Sequence, residues 1–371
     1  MGVHYVGCEI DFIAVGDGER SGDAIAVRWG NLSGSPAEQS VIVIDGGNVS
    51  SGEDLVNRVR SDYGSHHIDA VISTHPDADH AKGLATVMNQ FSVGALWLHQ
   101  PWNRANDIHD LVLDGRVTPA SLESRIKTAL SAAYDLERIA EDRNIDIWEP
   151  FAGLPIEHNG ATFHVLGPSE EYYSELLPQF DDVPVTKLAM ATEAKSLMVA
   201  NAADNILAAY QSWSEETLVE PTEKIRAENN SSVILLMQYE GRQVLFTADA
   251  GVEALTFAYQ RALALGIDLK DCTFIQIPHH GSRRNVGPEI LDSIVGNVLP
   301  YGSTPTKTAY VSCAANSPKH PSAKVLNAFT RRGAAAYATR GSSIRYSWNA
   351  PARLNWSPLA PIPIQSEAAE G

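Results

Sequence analysis

Thr74-His75-Pro76-Asp77-Ala78-Asp79-His80 is the stretch on which the reading of this sequence turns, because it packs two imidazoles and two carboxylates into six consecutive residues. A solvated turn has no structural need for so many metal-capable side chains. The stretch closes the strand-like run HIDAVIST (67–74) and leads into the helix-like LATVMNQF (84–91), so it lies on a strand-to-helix loop. In a tight loop there, His75 and Asp77 can point one way and Asp79 and His80 the other, giving two adjacent half-sites. The competing reading is a polar turn in which Asp77 or Asp79 caps the following helix.

Upstream, EIDFIAVG (9–16), DAIAVRWG (23–30) and SVIVIDGG (40–47) read as strands, the first two separated by the Gly-rich GDGERSGD (16–23). A strand meander is expected, followed by a helix in GEDLVNRVRSDYG (52–64). Downstream, residues 103–143 and 169–226 read as two helical insertions outside the core sheets. Strand-like runs lie between them at 145–151 and 161–168. After them, further runs at 232–239, 242–250, 272–281, 308–314, 334–340 and 343–349 alternate with helices around 251–266, 288–296 and 322–332. Residues 1–355 are expected to form a single α/β domain, and the Pro-rich 356–371 an extended or disordered tail.

The chain has 371 residues, 44% of them apolar, and its net charge of −17 comes from 45 acidic against 28 basic residues. That balance argues against broad adhesion to nucleic acid or anionic membrane, although bound cations can make one site positive inside a negative protein. No run approaches the ~18 apolar residues of a membrane span, so a soluble, cytoplasmic protein is expected. Cys8, Cys272 and Cys313 are too few and too scattered for a disulfide framework and read as buried thiols.

Three segments of the second half extend the cluster. RQVLFTADA (242–250) places Asp249 at the end of an apolar strand, where it could bridge two cations or cap the next helix. CTFIQIPHHGS ends in His279 and His280, with Gly281 permitting a tight turn. SPKHPSAKVL sets His320 on a loop, with Pro321 at a helix-starting position.

Taken in this order, THPDADH, TAD, PHHGS and KHPS resemble the metallo-β-lactamase superfamily, and more narrowly the hydrolase domain of ComEC-type competence proteins, over about residues 8–348. The resemblance implies a four-layer αββα sandwich with two divalent metals, Mn2+ or Zn2+ with Mg2+ also admissible. It further implies that His75 and Asp77 hold one metal, that Asp79, His80 and His280 hold the other, and that Asp249 bridges them. Asp79, Asp249 and His320 are then the candidate catalytic residues. His279 is the less favoured ligand and could instead contact substrate or orient His280.

Asp77 stands where the commoner family pattern has a second His, a substitution usual in the ComEC-like branch that shifts preference from zinc towards manganese or magnesium. The family's third His has no counterpart, and Asn229 and Asn230 lie in its place. Two cations would activate a shared water against a phosphodiester. Ser282, Arg283, Arg284 and Lys319, with His279, Asn229 and Asn230, are the candidate substrate-binding residues. The function so implied is a phosphodiesterase or nuclease acting on DNA or RNA. A hydrolase of a small phosphate ester, cyclic nucleotide or lactone is the second reading, and a non-catalytic module with a degenerate site the third. Trp97, His99, Trp102 and Arg104 could shape a substrate cleft, with core packing the alternative for the tryptophans.

Overall fold

The computed structural model describes residues 5–16, 18, 20–111, 116–181, 213–354 and 356–367. The amino-terminal meander forms as the alternation predicts: β1 (Val6–Phe12), β2 (Ala24–Asn31) and β3 (Gln39–Gly46) pair antiparallel. Parallel strands follow, each reached through a helix: α1 (Val49–Ser61), β4 (His67–Ile72), α2 (Ala78–Gln90), β5 (Ser92–Trp97) and, after α3 (Ala105–Ile108), α4 (Pro119–Ala129) and α5 (Ser131–Arg143), the short β6 (Asp146–Trp148).

The second half repeats this plan. Antiparallel β7 (Ile156–His158), β8 (Ala161–Gly167), β9 (Ile234–Tyr239) and β10 (Arg242–Phe246) are followed by parallel β11 (Cys272–Gln276), β12 (Lys307–Val311) and β13 (Ala334–Ala338). Its helices among the described residues are α6 (Glu170–Leu176), α7 (Ala227–Asn230), α8 (Val252–Ala264), α9 (Pro288–Ile294) and α10 (Ala323–Arg331). The last strand, β14 (Ile344–Trp348), crosses back to pair with β1. Two seven-stranded sheets result, ordered β14-β1-β2-β3-β4-β5-β6 and β13-β12-β11-β10-β9-β8-β7.

Alternate residues of each strand face opposite sides, which divides the core into three slabs. Cys8, Ile10, Phe12, Ile25, Val27 and Trp29 meet Phe163, Phe246, Phe274 and Tyr310 between the sheets. The outer face of the first sheet packs under α1, α2, α4 and α5, and that of the second under α8, α9 and α10. This is the four-layer αββα sandwich, mixed α/β with two sheets flanked by helices.

Three expectations are amended. The described residues of 103–143, namely 103–111 and 116–143, are largely helical but are no appendage: Leu122, Ile126, Leu136 and Ala140 are fully buried in the helical layer, because their 3.6-residue stripe covers the first sheet. Of 169–226, the described part holds the helix α6 and then mostly irregular chain from 215 to 226, while 182–212 lie outside the described residues. The described part of the tail, 356–367, is extended and docked: Ile362 N donates to Ala336 O, and the buried Glu367 pairs with Arg331. Residues 368–371 lie outside the described residues.

Cys8, Cys272 and Cys313 are free and buried. Among the described residues, no helix is long and apolar enough to cross a membrane.

Candidate metal centre

The carboxyl ends of β3, β4, β10, β11 and β12 meet along one edge of the sandwich and deliver the clustered side chains. Helix α2 begins at Ala78, so Asp79 and His80 stand in its first turn rather than in the loop. Asp77 occupies the N-cap position yet makes no side-chain cap bond, and Gly251, not Asp249, precedes α8. The capping alternatives for both aspartates therefore lack their hydrogen bonds.

Each of the four imidazoles is held through Nδ1. His80 Nδ1 donates to Asp45 Oδ2 at 2.8 Å. Thr74 Oγ1 donates to the same carboxylate at 2.6 Å, leaving its lone pair to accept from His75 Nδ1 at 3.0 Å. His280 Nδ1 donates to Ser312 O at 3.1 Å. Asn285 donates its amide N–H to Asp249 O, so its oxygen faces His279 Nδ1 at 2.8 Å and accepts from it. Every Nε2 is thereby left with a lone pair, the state a metal ligand needs.

These lone pairs converge on Asp249. From its Oδ2, the Nε2 atoms of His75, His80 and His279 stand 3.9, 3.6 and 3.5 Å away, and His280 Nε2 stands 3.8 Å from Oδ1. Such gaps are too long for hydrogen bonds, but they approach the separation of roughly 3–3.5 Å between ligands that each sit ~2.1 Å from one ion. His75 Nε2, His80 Nε2 and Asp249 Oδ1 are buried and lack any partner within the protein. Unpaired buried polar atoms are costly, and divalent cations fit this donor set.

Electrostatics favour the neutral ring for His75 and His280, whereas His80 holds its proton until a cation displaces it. Burial holds His75 well below the usual imidazole value and brings His280 down to about 4, so both are neutral near pH 7. For His80, burial also pushes down, but the carboxylates of Asp249 and Asp45 outweigh it and its value rises. For Asp249, burial pushes up, and the surrounding His279, His280 and His80 prevail, holding it low. Burial lifts Asp77 to about 6 despite Arg226, and lifts Asp23 to about 7 despite His80.

Among the described residues, three groups of ligand atoms lie within 4.8 Å of one another: Asp45, His75 and His80; Asp79, His80 and His280; and Asp23, Asp249 and His280. Asp77 belongs to none of them, although its Oδ2 is 3.9 Å from His75 Nε2; it pairs with Arg226 at 2.9 Å. His320 lines the cleft, its ring stacked on His279 at 6.1 Å. Lys319 and Asn229 line it too.

The other proposed contacts lie elsewhere. Arg283 and Arg284 line a separate hollow with residues 217–223, where Arg284 pairs with Glu223. Ser282 is buried and accepts from Arg284 N, while Asn230 accepts from Gly251 N and donates to Glu253. Pro321 precedes the cap residue Ser322 rather than opening α10. Trp97 stacks on Trp148, Trp102 donates to Glu137, His99 lies between Phe151 and Tyr173, and Arg104 pairs with Glu149 and Glu170; none of the four lines the cleft.

Residue-by-residue reading missed Asp23, Asp45, Arg20 and Arg226, all at or beside the site. Asp45 did carry a signal, a charged residue ending the apolar VIVID, and it adopts the left-handed φ of 53° that ordinarily favours Gly or Asn. Ala248, His279 and His280 are left-handed as well, at 45°, 46° and 56°. Such strain gathers at functional sites.

Residues 24–143 match the family model described as the metallo-beta-lactamase superfamily. No curated protein matches the chain by sequence. Among solved structures, the chain is similar to a mutant of the CmlA beta-hydroxylase (13% identity, TM-score 0.44, 92% of this chain and 53% of that one), so it spans about half of that protein's length. It is also similar to the metallo-beta-lactamase fold protein YhfI from Bacillus subtilis (9%, 0.42, 92% and 99%) and to yeast PDE1 (10%, 0.40, 90% and 97%). The His75–His80 segment lies inside the residues that match this family model, and β2 to β5 of the sandwich lie within them as well.

Proposed function

We propose that this protein is a two-metal hydrolase of phosphodiesters, acting on DNA or RNA, with manganese favoured at an oxygen-rich centre. The observation that carries the reading is the convergence of four imidazole lone pairs on Asp249 across gaps too wide for hydrogen bonds. Divalent cations held there supply Lewis acidity, making water acidic near neutral pH and neutralising charge on substrate oxygens.

The chain's own residues do the rest. His75 and Asp249 would hold one cation, with Asp77 beside them, and Asp79, His80 and His280 would hold the other. Asp79, exposed at the cleft, accepts the proton of the attacking water through its carboxylate. A cleft of about 400 Å³ is lined by Arg20, Arg226 and Lys319 together with His320. These cations and the imidazole can bind the non-bridging oxygens of a phosphodiester and orient it for attack.

Purified protein supplied with Mn2+ is expected to cleave single-stranded or duplex DNA or RNA, and Asp79→Ala and His80→Ala are each expected to abolish cleavage. Activity that survives both substitutions rejects the site. Cleavage of bis-p-nitrophenyl phosphate without any polynucleotide product moves the substrate to a small ester.

A further inference from the structure

Gly22 and Asp23, on the connection between β1 and β2, are pressed against the metal segment. A Cβ on Gly22 would lie 2.1 Å from Asp79 O, so only glycine lets this connection approach so closely. Ala315 N donates to Gly16 O and Ala314 N to Ser21 Oγ, which ties the connection to the segment leading to His320. Asp23 is thereby driven into the interior, with a side chain 3% exposed.

Its surroundings are short of positive charge. Gln276 donates to Asp23 Oδ2 at 2.9 Å, and the same amide accepts from Thr247 N and Ala248 N, so its orientation is fixed. His80 Nδ1 is 3.9 Å away and already donates to Asp45. Among the described residues, no Lys or Arg forms an ion pair with Asp23, Asp45 or Asp249. A buried carboxylate beside another requires a cation or a proton. A carboxylate oxygen of Asp23 lies within 4.8 Å of ligand atoms of Asp249 and His280, and the partnerless Asp249 Oδ1 and His80 Nε2 are buried at the same place.

We propose that Asp23 is a further protein ligand of the cation held by Asp79, His80 and His280. This rests on the two-metal reading above and deepens it. His280 belongs both to the group with Asp79 and His80 and to the group with Asp23 and Asp249, so a cation on His280 has three carboxylates and a second imidazole among its candidate ligands. Tetrahedral zinc has no use for a fifth ligand, whereas higher-coordinate, oxygen-preferring Mn2+ does. Asp23 thus sets metal selectivity.

The test measures metal rather than turnover. The full chain is stripped with chelator, re-equilibrated with Mn2+ or Zn2+ at graded concentrations, and its bound metal counted by elemental analysis. Wild type is expected to take two ions of either metal. Asp23→Asn, which keeps the shape, is expected to weaken one Mn2+ site about ten-fold or more, with a smaller loss for Zn2+. The metal-free variant should melt no lower than wild type, because a buried negative charge has been removed, and its stabilisation by Mn2+ should shrink. Asp23→Ala, read in the same way, guards against a defect particular to the amide. If both variants bind two Mn2+ as tightly as wild type, or if metal-free Asp23→Asn melts well below wild type with its Mn2+ affinity intact, Asp23 is no ligand. Wild type that takes up neither metal overturns the two-metal reading itself, and this proposal with it.

Discussion

His99 shows at the scale of one residue how this interior treats an imidazole that holds nothing. Its ring lies between Phe151 and Tyr173, with centroids 4.6 and 4.5 Å away, and neither nitrogen has a hydrogen-bond partner. Burial, reinforced by Arg104, lowers its pKa to about 3. The folded value lies below the unfolded one of about 6.5, so the unfolded chain takes up the proton first as pH falls. The stability due to neutral His99 is therefore complete above about pH 6.5 and is lost between there and pH 3, at up to about 1.4 kcal/mol per pH unit. His99→Phe is expected to make urea unfolding less sensitive to pH between 6.5 and 4; an acid slope equal to that of wild type contradicts this.

His75, Asp77, Asp79 and His80 were legible because they are contiguous and chemically unusual, whereas Asp23 and Asp45 are single carboxylates at strand ends. Nothing local separates Asp23 from an ordinary turn residue, and Asp45 is marked only by the apolar run it ends; the meaning of both arises when the sheet brings them to His80. The basic Arg283–Arg284 pair misled for the converse reason: adjacency to PHHGS in sequence did not carry the side chains into the cleft.

Among the elements, α2 carries two of the candidate ligands, Asp79 and His80, and its position is set by close backbone packing. A Cβ on Gly83 would lie 1.9 Å from Gly46 O and 2.6 Å from Asn48 O, so the helix rests directly on the turn between β3 and α1. Asp79 and His80 lie one turn before this contact. Gly83→Ala is expected to cost about 1–3 kcal/mol through overpacking and to lower metal uptake by shifting both residues. Thermal unfolding and metal content check this together, and a variant with unchanged values for both contradicts it. The strands were readable from their alternation and α2 from its apolar stripe, apart from its first turn, where polar ligands mask the helical pattern. α4 and α5 were recognised as helices, but a single sequence does not reveal which sheet an amphipathic stripe covers.

Across the whole molecule, the two halves share one plan, an antiparallel meander continued by parallel strands, and their parallel strands present carboxyl ends to a common edge. Motifs more than two hundred residues apart therefore meet, as His75 and His280 do around Asp249. The order of the motifs made the sandwich legible. The return of β14 to the first sheet and the docking of the tail on α10 and β13 were not, because both depend on pairings between distant segments. The central claim is that this common edge is a centre for two divalent cations. A crystal equilibrated with Mn2+, with anomalous scattering recorded at the manganese edge, tests it most directly. The account predicts two peaks, both within ligand distance of Asp249, one also reaching His75 and the other His80 and His280. The absence of any peak there, with the four Nε2 atoms hydrogen-bonded to water, would contradict it.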